Sequence, residues 1–189
     1  MLSEVANFIN SKVSSANAKH EAREAGNDVI FVDPAAILEV CKALKNSDYD
    51  YNVLQVMTGT DFPQDNQLEV SYIINSFTKN HAEELILKTR VPRDNPELDS
   101  VTSVWRSADW LERECYDMVG VKFNNHPDFR RILCPDDWEG YPLRRDYKAA
   151  EKYNNMTIYP EAKMNIPDRG FAAKLKEQEK SARQPEASK

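Results

Sequence analysis

The sequence has few of the residues from which cofactor and metal sites are built. Among 189 residues there are five glycines, three histidines and three cysteines. The glycines form neither a dinucleotide fingerprint nor a phosphate-binding loop. Cys41, Cys115 and Cys134 are odd in number and widely spaced, which predicts reduced thiols rather than a disulfide framework, a zinc site or an iron-sulfur cluster. We therefore expect a chain with no catalytic residue, bound cofactor or metal of its own.

Long apolar runs are also missing. The apolar run at residues 29–32 is bounded by Asp28 and Asp33, whereas a membrane span needs about 20 apolar positions in succession. Glu4 stands where a secretory signal would be basic, and the first residues lack the arginine-rich character of a transit peptide. These absences predict a chain of the bacterial cytoplasm without a transmembrane segment.

An excess of positive charge is absent as well. The formal net charge is -6, and residues 148–189 hold nine Lys/Arg against six Asp/Glu, which leaves about -9 on residues 1–147. An acidic body of this kind argues against a nucleic-acid partner.

The apolar patterns that are present predict an α+β fold. Residues 2–16 show a helical stripe, and Asp33-Pro34 is a favourable start for a helix over residues 34–46. We predict strands at residues 29–32, 51–58, 67–77 and 84–91. Short links between consecutive strands favour a small, mostly antiparallel sheet of about four strands with helices packed on one face.

The second half of the chain becomes less regular. A helix is predicted over residues 103–118, and Pro127, Pro135 and Pro142 then exclude a long helix. We predict a core domain over residues 1–120 and an ordered extended C-terminal segment over residues 121–147, called the extended segment below. Residues 148–189 are predicted to be a polar tail, partly disordered or wrapped around a partner.

Residues 110–147 carry charged and apolar residues at fixed spacing. Glu-Arg-Glu stands at 112–114, an acid and two apolar residues at 117–119, then His126, Arg130 and two aliphatic residues at 132–133. This pattern resembles the family of the small hydrophilic C subunit of respiratory complex I, the proton-pumping NADH-quinone oxidoreductase. Val119, where relatives often have an aromatic residue, and Lys148, where proline is common, depart from the family pattern.

The resemblance implies a structural subunit of the peripheral arm, at the cytoplasmic face of the bacterial inner membrane. Its expected partners are the subunit that forms the quinone cavity and the cluster-bearing subunit beside it. FMN and iron-sulfur clusters would reside on partner subunits, and NADH oxidation, quinone reduction and proton pumping would belong to the assembly. The alternatives are the equivalent subunit of a membrane-bound hydrogenase or other-donor dehydrogenase, and a stand-alone interaction or assembly protein.

The charged and aromatic residues of this pattern are interpreted as a protein interface, where arginine and aromatic residues are enriched and ion pairs fix the register. The residues assigned to it are Glu112, Arg113, Glu114, Asp117, His126, Asp128, Arg130, Arg131, Asp136, Asp137, Trp138, Arg144, Arg145 and Asp146.

Other interpretations of these residues compete. Spacing alone also fits a solvated helix face on which Arg113 and Asp117 pair four residues apart. A catalytic or metal-binding role for His126 with Asp128 is less favoured than a turn capped by the Asp128 side chain. A divalent-ion site at Asp136 and Asp137 is less favoured than helix capping or pairing with Arg144 or Arg145.

Overall fold

A computed structural model describes residues 2–23, 27–79 and 84–157. The α-helices within these ranges are α1 (Leu2–Lys12), α2 (Ile37–Lys45) and α3 (Ala108–Val119). The strands are β1 (Lys19–Glu21), β2 (Val29–Phe31), β3 (Val53–Phe62), β4 (Gln67–Asn75), β5 (Leu85–Pro92), β6 (Glu97–Asp99), β7 (Lys122–Asn124), β8 (Lys152–Tyr153) and β9 (Met156–Thr157). The predicted helices and strands are thus found, with ends shifted by a few residues.

The main sheet has five strands in the order β1-β2-β5-β4-β3. Only the β2–β5 pair is parallel, so the predicted α+β class with a mostly antiparallel sheet is confirmed. The additional strand is β1, whose sequence Lys-His-Glu is charged and exposed. It was missed because it shows no alternation of apolar and polar residues.

One face of the sheet carries the core. Leu68, Val70, Tyr72 and Ile74 of β4 are fully buried, as the period-two pattern predicts. They belong to one apolar cluster with residues of all three helices, including Ile9, Val40 and Cys115. The three helices therefore share a single core with the sheet.

The opposite face of β4 also carries buried side chains, although the period-two pattern predicts an exposed face there. Glu69 lies on this face, yet it is almost fully buried because Lys88 and Arg90 form ion pairs with its two carboxylate oxygens. The guanidinium of Arg90 in turn lies 5.3 Å from the ring centres of both Phe31 and Phe62. Cation–π contacts thus cover a charged cluster in the middle of the sheet.

Gly59 of β3 allows α3 to pack directly on the sheet. A Cβ at this position would lie 2.9 Å from the Sγ of Cys115 and 3.2 Å from a methyl carbon of Val119. We expect Gly59→Ala to lower the free energy of unfolding by about 1–3 kcal/mol through overpacking, measured by urea denaturation. Thr58→Ala, at the exposed neighbouring position, is the control and should change little. Adding Cys115→Ala should recover part of the loss, and a fully stable Gly59→Ala chain would contradict this packing.

The extended segment begins on a second, small sheet. β7 pairs in parallel with β6, and the N–H of Ser100 donates to the carbonyl of Asn124 at 2.9 Å. The compact unit that contains the core continues to Lys148. The boundaries predicted for the core domain and the extended segment stay predictions.

A second unit begins at Ala149, and its described part is residues 149–157. β8 and β9 form a short antiparallel hairpin, with Asn154 and Asn155 at positive φ in the turn. Most of the predicted tail, residues 158–189, lies outside the described residues. Within the described ranges no helix has the length and apolarity that crossing a membrane requires.

Candidate interaction surface

Helix α3 ends at a glycine that also makes room for the extended segment. Gly120 has φ +89° and its N–H donates to the carbonyls of Cys115 and Tyr116, a left-handed helix end that favours glycine. A Cβ here would lie 2.5–2.7 Å from the ring of Tyr141. The absence of a side chain therefore lets Tyr141 lie directly on the end of the helix.

Asp117 organises the centre of the extended segment. Its Oδ2 accepts hydrogen bonds from three successive main-chain N–H groups, those of Ile132 (3.1 Å), Leu133 (2.6 Å) and Cys134 (2.9 Å). Its Oδ1 accepts one from Arg131 at 2.7 Å. Burial opposes ionisation of this carboxyl, but the three N–H donors and Arg131 outweigh it and hold the pKa of Asp117 below its ordinary value.

Arg131 connects three parts of the site. Beyond Asp117, its guanidinium donates to the carbonyls of Trp138 and Gly140, each at 3.1 Å. It also lies 5.8 Å from the ring of Tyr116 and 5.4 Å from that of Tyr141. The local Arg113–Asp117 pair considered from the sequence is wrong, because Asp117 binds Arg131 and the three N–H groups instead.

Arg113 is buried and directed to the start of the extended segment. Its Nε donates to the carbonyl of Arg130 at 3.2 Å, and its Nη1 lies 3.7 Å from Asp128 and 3.9 Å from Asp109. The guanidinium also lies 4.8 Å from the ring centre of Trp110. The side chain of Asp128 accepts from Arg130 at 3.0 Å, so Arg130 is paired within the chain as well.

The side chains of Glu112 and His126 are both fully buried between α3 and the loop after β7. Glu112 Oε1 accepts from the N–H of Val101 at 2.7 Å. His126 Nδ1 accepts from the N–H of Asp128 at 3.1 Å, and Nε2 lies 3.1 Å from the carbonyl of Asp109. The turn at residues 126–128 is therefore held by the imidazole, and the predicted cap through the Asp128 side chain is wrong.

The end of the extended segment is hydrogen-bonded to β3. The main-chain N–H of Arg145 donates to the buried carboxylate of Asp61 at 2.9 Å, and Arg93 forms ion pairs at 2.8 Å with both Asp61 and Asp146. Arg144 donates to the carbonyl of Val119 at 2.8 Å and lies 4.7 Å from the ring of Tyr141. Asp61 and Arg93 were missed from the sequence, where they appear in turn-rich links far from residues 110–147.

Several assigned residues lie toward solvent. Glu114 is exposed on α3, and Asp136 and Asp137 are exposed beside a turn in which the N–H of Trp138 donates to the carbonyl of Pro135 at 3.0 Å. The indole N–H of Trp138 donates to the hydroxyl of Tyr147 at 3.0 Å. Glu114 therefore lies on the exposed surface of α3, and Asp136 and Asp137 lie on that of the extended segment.

Large apolar side chains are exposed on the same elements. Trp110, Leu133 and Leu143 are each more than 60% exposed, and Phe129 is exposed to a smaller degree. These four are more than half of the seven large exposed apolar residues in the described chain. Exposed apolar and aromatic residues on a rigid scaffold are typical of protein interfaces.

The three cysteines differ in how far they are buried. All three are free; Cys41 and Cys115 are buried and Cys134 is half-buried. Burial raises the pKa of the Cys41 thiol and raises that of Cys115 to about 12, so both are poor nucleophiles. In the part of the chain that the structure describes, no three His, Cys, Asp or Glu side chains are grouped as they would be around a metal ion.

Comparison with known proteins identifies a consistent set of relatives. The sequence profile described as respiratory-chain NADH dehydrogenase, 30 Kd subunit, matches residues 30–153. The NADH-quinone oxidoreductase C subunit of Geobacter sulfurreducens is 41% identical over 122 residues, covering 65% of this chain and 75% of the relative. The F(420)H(2) dehydrogenase C subunit of Methanosarcina mazei is 44% identical over 120 residues, covering 63% and 74%.

Some relatives are matched over less of their length. The NADH-quinone oxidoreductase C subunit of Chlorobium phaeobacteroides is 43% identical over 57% of this chain, and the match spans 64% of the relative. For the corresponding protein of Chloroherpeton thalassium the match spans 44% of the relative.

Two solved structures share the fold. A chain of the membrane-bound sulfane sulfur reductase, an archaeal respiratory membrane complex, superposes with a TM-score of 0.66 at 23% identity over 86% of this chain and 97% of that one. The trypsin-resistant fragment (1-134) of Nqo5 superposes with a TM-score of 0.56 at 26% identity, covering 67% of this chain and 98% of the fragment.

Proposed function

This chain belongs to the family of the respiratory-chain NADH dehydrogenase 30 kDa subunit, and from that membership we propose that it is the structural C subunit of a proton-pumping NADH-quinone oxidoreductase. In this proposal it carries no cofactor. The complex transfers electrons from NADH through FMN and iron-sulfur clusters on other subunits to quinone, coupled to proton translocation. The chain lies in the peripheral arm at the cytoplasmic face of the bacterial inner membrane.

The observation that carries the proposal is how the extended segment is held. Residues 130–146 contain no helix or strand, yet Asp117, Arg113, Asp61 and Arg93 fix the segment to α3 and β3 through charged hydrogen bonds. A segment fixed in this way presents Leu133 and Leu143 without losing conformational entropy on binding. Rigid presentation of apolar side chains suits docking better than catalysis.

The residues of this surface fall into two roles. Glu112, Arg113, Asp117, His126 and Arg131 hold the chain's own surface in shape. We propose that the neighbouring subunits contact exposed residues of α3 and the extended segment, namely Trp110, Glu114, Phe129, Leu133, Asp136, Asp137 and Leu143. The proposed partners are the subunit that forms the quinone cavity and the cluster-bearing subunit beside it.

A triple variant tests the docking role. Trp110→Ala, Leu133→Ala and Leu143→Ala together should reduce the amount of this chain that co-purifies with the tagged complex by at least about tenfold, since buried anchors dominate interface energies. The stability of the free chain should change little because these side chains are exposed. Phe77→Ala is the matched control, an equally exposed aromatic residue outside α3 and the extended segment. Normal co-purification of the triple variant would contradict the proposed surface.

A second electron donor is a specific alternative. The F(420)H(2) dehydrogenase relative is as similar to this chain as the NADH-quinone oxidoreductase relatives are. In that case the structural role is unchanged and only the donor-binding partner differs. Mass spectrometry of the co-purifying chains separates these alternatives, because a donor-specific subunit accompanies this chain in each.

A further inference from the structure

Glu112 is a fully buried acid with only one satisfied oxygen. Its Oε1 accepts from the N–H of Val101 at 2.7 Å, but its Oε2 has no hydrogen-bond partner among the described residues. The Nε2 of His126 lies 3.9 Å from this oxygen, beyond hydrogen-bond distance. An ionised carboxylate in such a position is costly because half of its charge is neither solvated nor paired.

The hydrogen bonds of His126 define the tautomer of its imidazole. The N–H of Asp128 points at its Nδ1, which must therefore be the unprotonated nitrogen. The hydrogen on Nε2 is then directed to the main-chain carbonyl of Asp109 at 3.1 Å. Both ring nitrogens of His126 therefore have main-chain partners, one in the turn and one on α3.

No lysine or arginine among the described residues forms an ion pair with Glu112. Cys41 of α2 and Tyr72 of β4 face it from the core, and Cys115 and Asp109 lie on its own helix. The adjacent cation, Arg113, is directed to Asp109, Asp128 and the carbonyl of Arg130. Burial, and secondarily the charge of Asp109, raise the pKa of Glu112 from 4.5 to about 7, although hydrogen bonds from Ser100 and Val101 oppose the shift.

We propose that Glu112 is a site that binds and releases a proton near neutral pH, and that loss of this proton weakens the packing of α3 against residues 100–101 and the turn at residues 126–128. The proton resides on the carboxyl group, while the imidazole of His126 bridges α3 to the extended segment. The attachment of the extended segment to α3 thereby becomes sensitive to pH. This inference concerns the free chain and does not depend on the proposed function.

The raised pKa of Glu112 makes the folding equilibrium depend on pH. The folded chain holds the proton more tightly than the unfolded chain, so folding is favoured at low pH. The advantage is lost as the pH rises from 4.5 through about 7. Relative to Glu112→Gln, which keeps a neutral side chain, the folding equilibrium constant of the wild type should fall on the order of 100-fold between pH 5 and pH 8.

The proton can be observed directly by NMR of the full chain. The amide signal of Val101, which donates to Glu112, should titrate with a midpoint near 7 in the wild type and should not titrate there in Glu112→Gln. Carbon-13 labelling of the glutamate carboxyl groups gives the same midpoint without any substitution, so a variant that folds poorly does not weaken the test. Glu114→Gln, an exposed glutamate on the same helix, is the matched control and should leave the midpoint unchanged.

Two outcomes would overturn the proposal. In the first, no glutamate carboxyl titrates near pH 7 in the wild type. In the second, the Val101 titration persists in Glu112→Gln and disappears in His126→Asn, which would place the proton on the imidazole. A titration that survives His126→Asn and disappears in Glu112→Gln supports it.

Discussion

Replacing Asp117 by alanine should detach the extended segment from α3 at a cost of about 4 kcal/mol, because three main-chain N–H groups and Arg131 lose their shared acceptor. The core of the sheet should remain folded. Limited trypsin digestion should then cut rapidly after Arg130 or Arg131, whereas the wild type resists. Urea denaturation gives the loss in free energy of unfolding.

Two controls separate the carboxylate from the helix that carries it. Glu114→Ala removes an exposed acid from α3 and should change the stability by no more than about 0.5 kcal/mol. Asp117→Asn keeps one acceptor oxygen without the charge and should give an intermediate loss. Trypsin resistance equal to that of the wild type in Asp117→Ala would show that the segment is held by other contacts.

The contacts of Asp117 affect stability with a pH dependence opposite in sign to that proposed for Glu112. The folded chain lowers the pKa of Asp117, so its contribution to stability is present in full above its ordinary value of 3.8 and is lost as the pH falls further. Acid therefore releases the centre of the extended segment, whereas the proposed proton loss from Glu112 weakens its beginning as the pH rises through neutrality.

Gly120→Ala should be nearly as damaging, with an expected loss of about 2–4 kcal/mol. An alanine at φ +89° costs about 1–2 kcal/mol in the left-handed region, and its Cβ would overlap the ring of Tyr141. If Tyr141 moves, Arg131 and Arg144 lose an aromatic partner. Urea denaturation, together with incorporation of the chain into the proposed complex, measures the result.

Two further variants separate the backbone and the steric contributions to the stability loss in Gly120→Ala. Gly140→Ala has a similar φ of +79°, but its Cβ would lie 3.1 Å from Tyr147, so it should cost less than Gly120→Ala. In a double-mutant cycle, Tyr141→Ala should remove the steric part of the Gly120→Ala loss and leave the backbone part. Equal losses for the two glycines would contradict the steric argument.

Local patterns predicted the core of this fold well. The alternation in β4 and the helix start at Asp33-Pro34 depend on neighbouring residues. Both are found, the latter as a 3-10 helix at Pro34–Ala36 that leads into α2. The short strand β1 depends on pairing with β2, which its own charged sequence does not reveal. The burial of Glu69 similarly depends on Lys88 and Arg90 of the adjacent strand.

The site was predicted as a region, but its contacts were not. The contact between Arg145 and Asp61 joins residues 84 positions apart, and that between Arg93 and Asp146 joins residues 53 apart. No local spacing rule identifies such partners. The one local ion pair suggested by spacing, Arg113 with Asp117, is not formed, because main-chain N–H groups of a distant segment compete successfully for the carboxylate.

The extended segment needs Asp117 and Asp61 in place before it can fold. Residues 125–147, all of which are described, contain neither helix nor strand, so they have no element that can form independently. During synthesis both carboxylates leave the ribosome before the N–H groups that bind them. We therefore expect the segment to fold after β3 and α3, by adding to a surface that already exists, so that nucleation of the sheet and of α3 depends on the preceding residues.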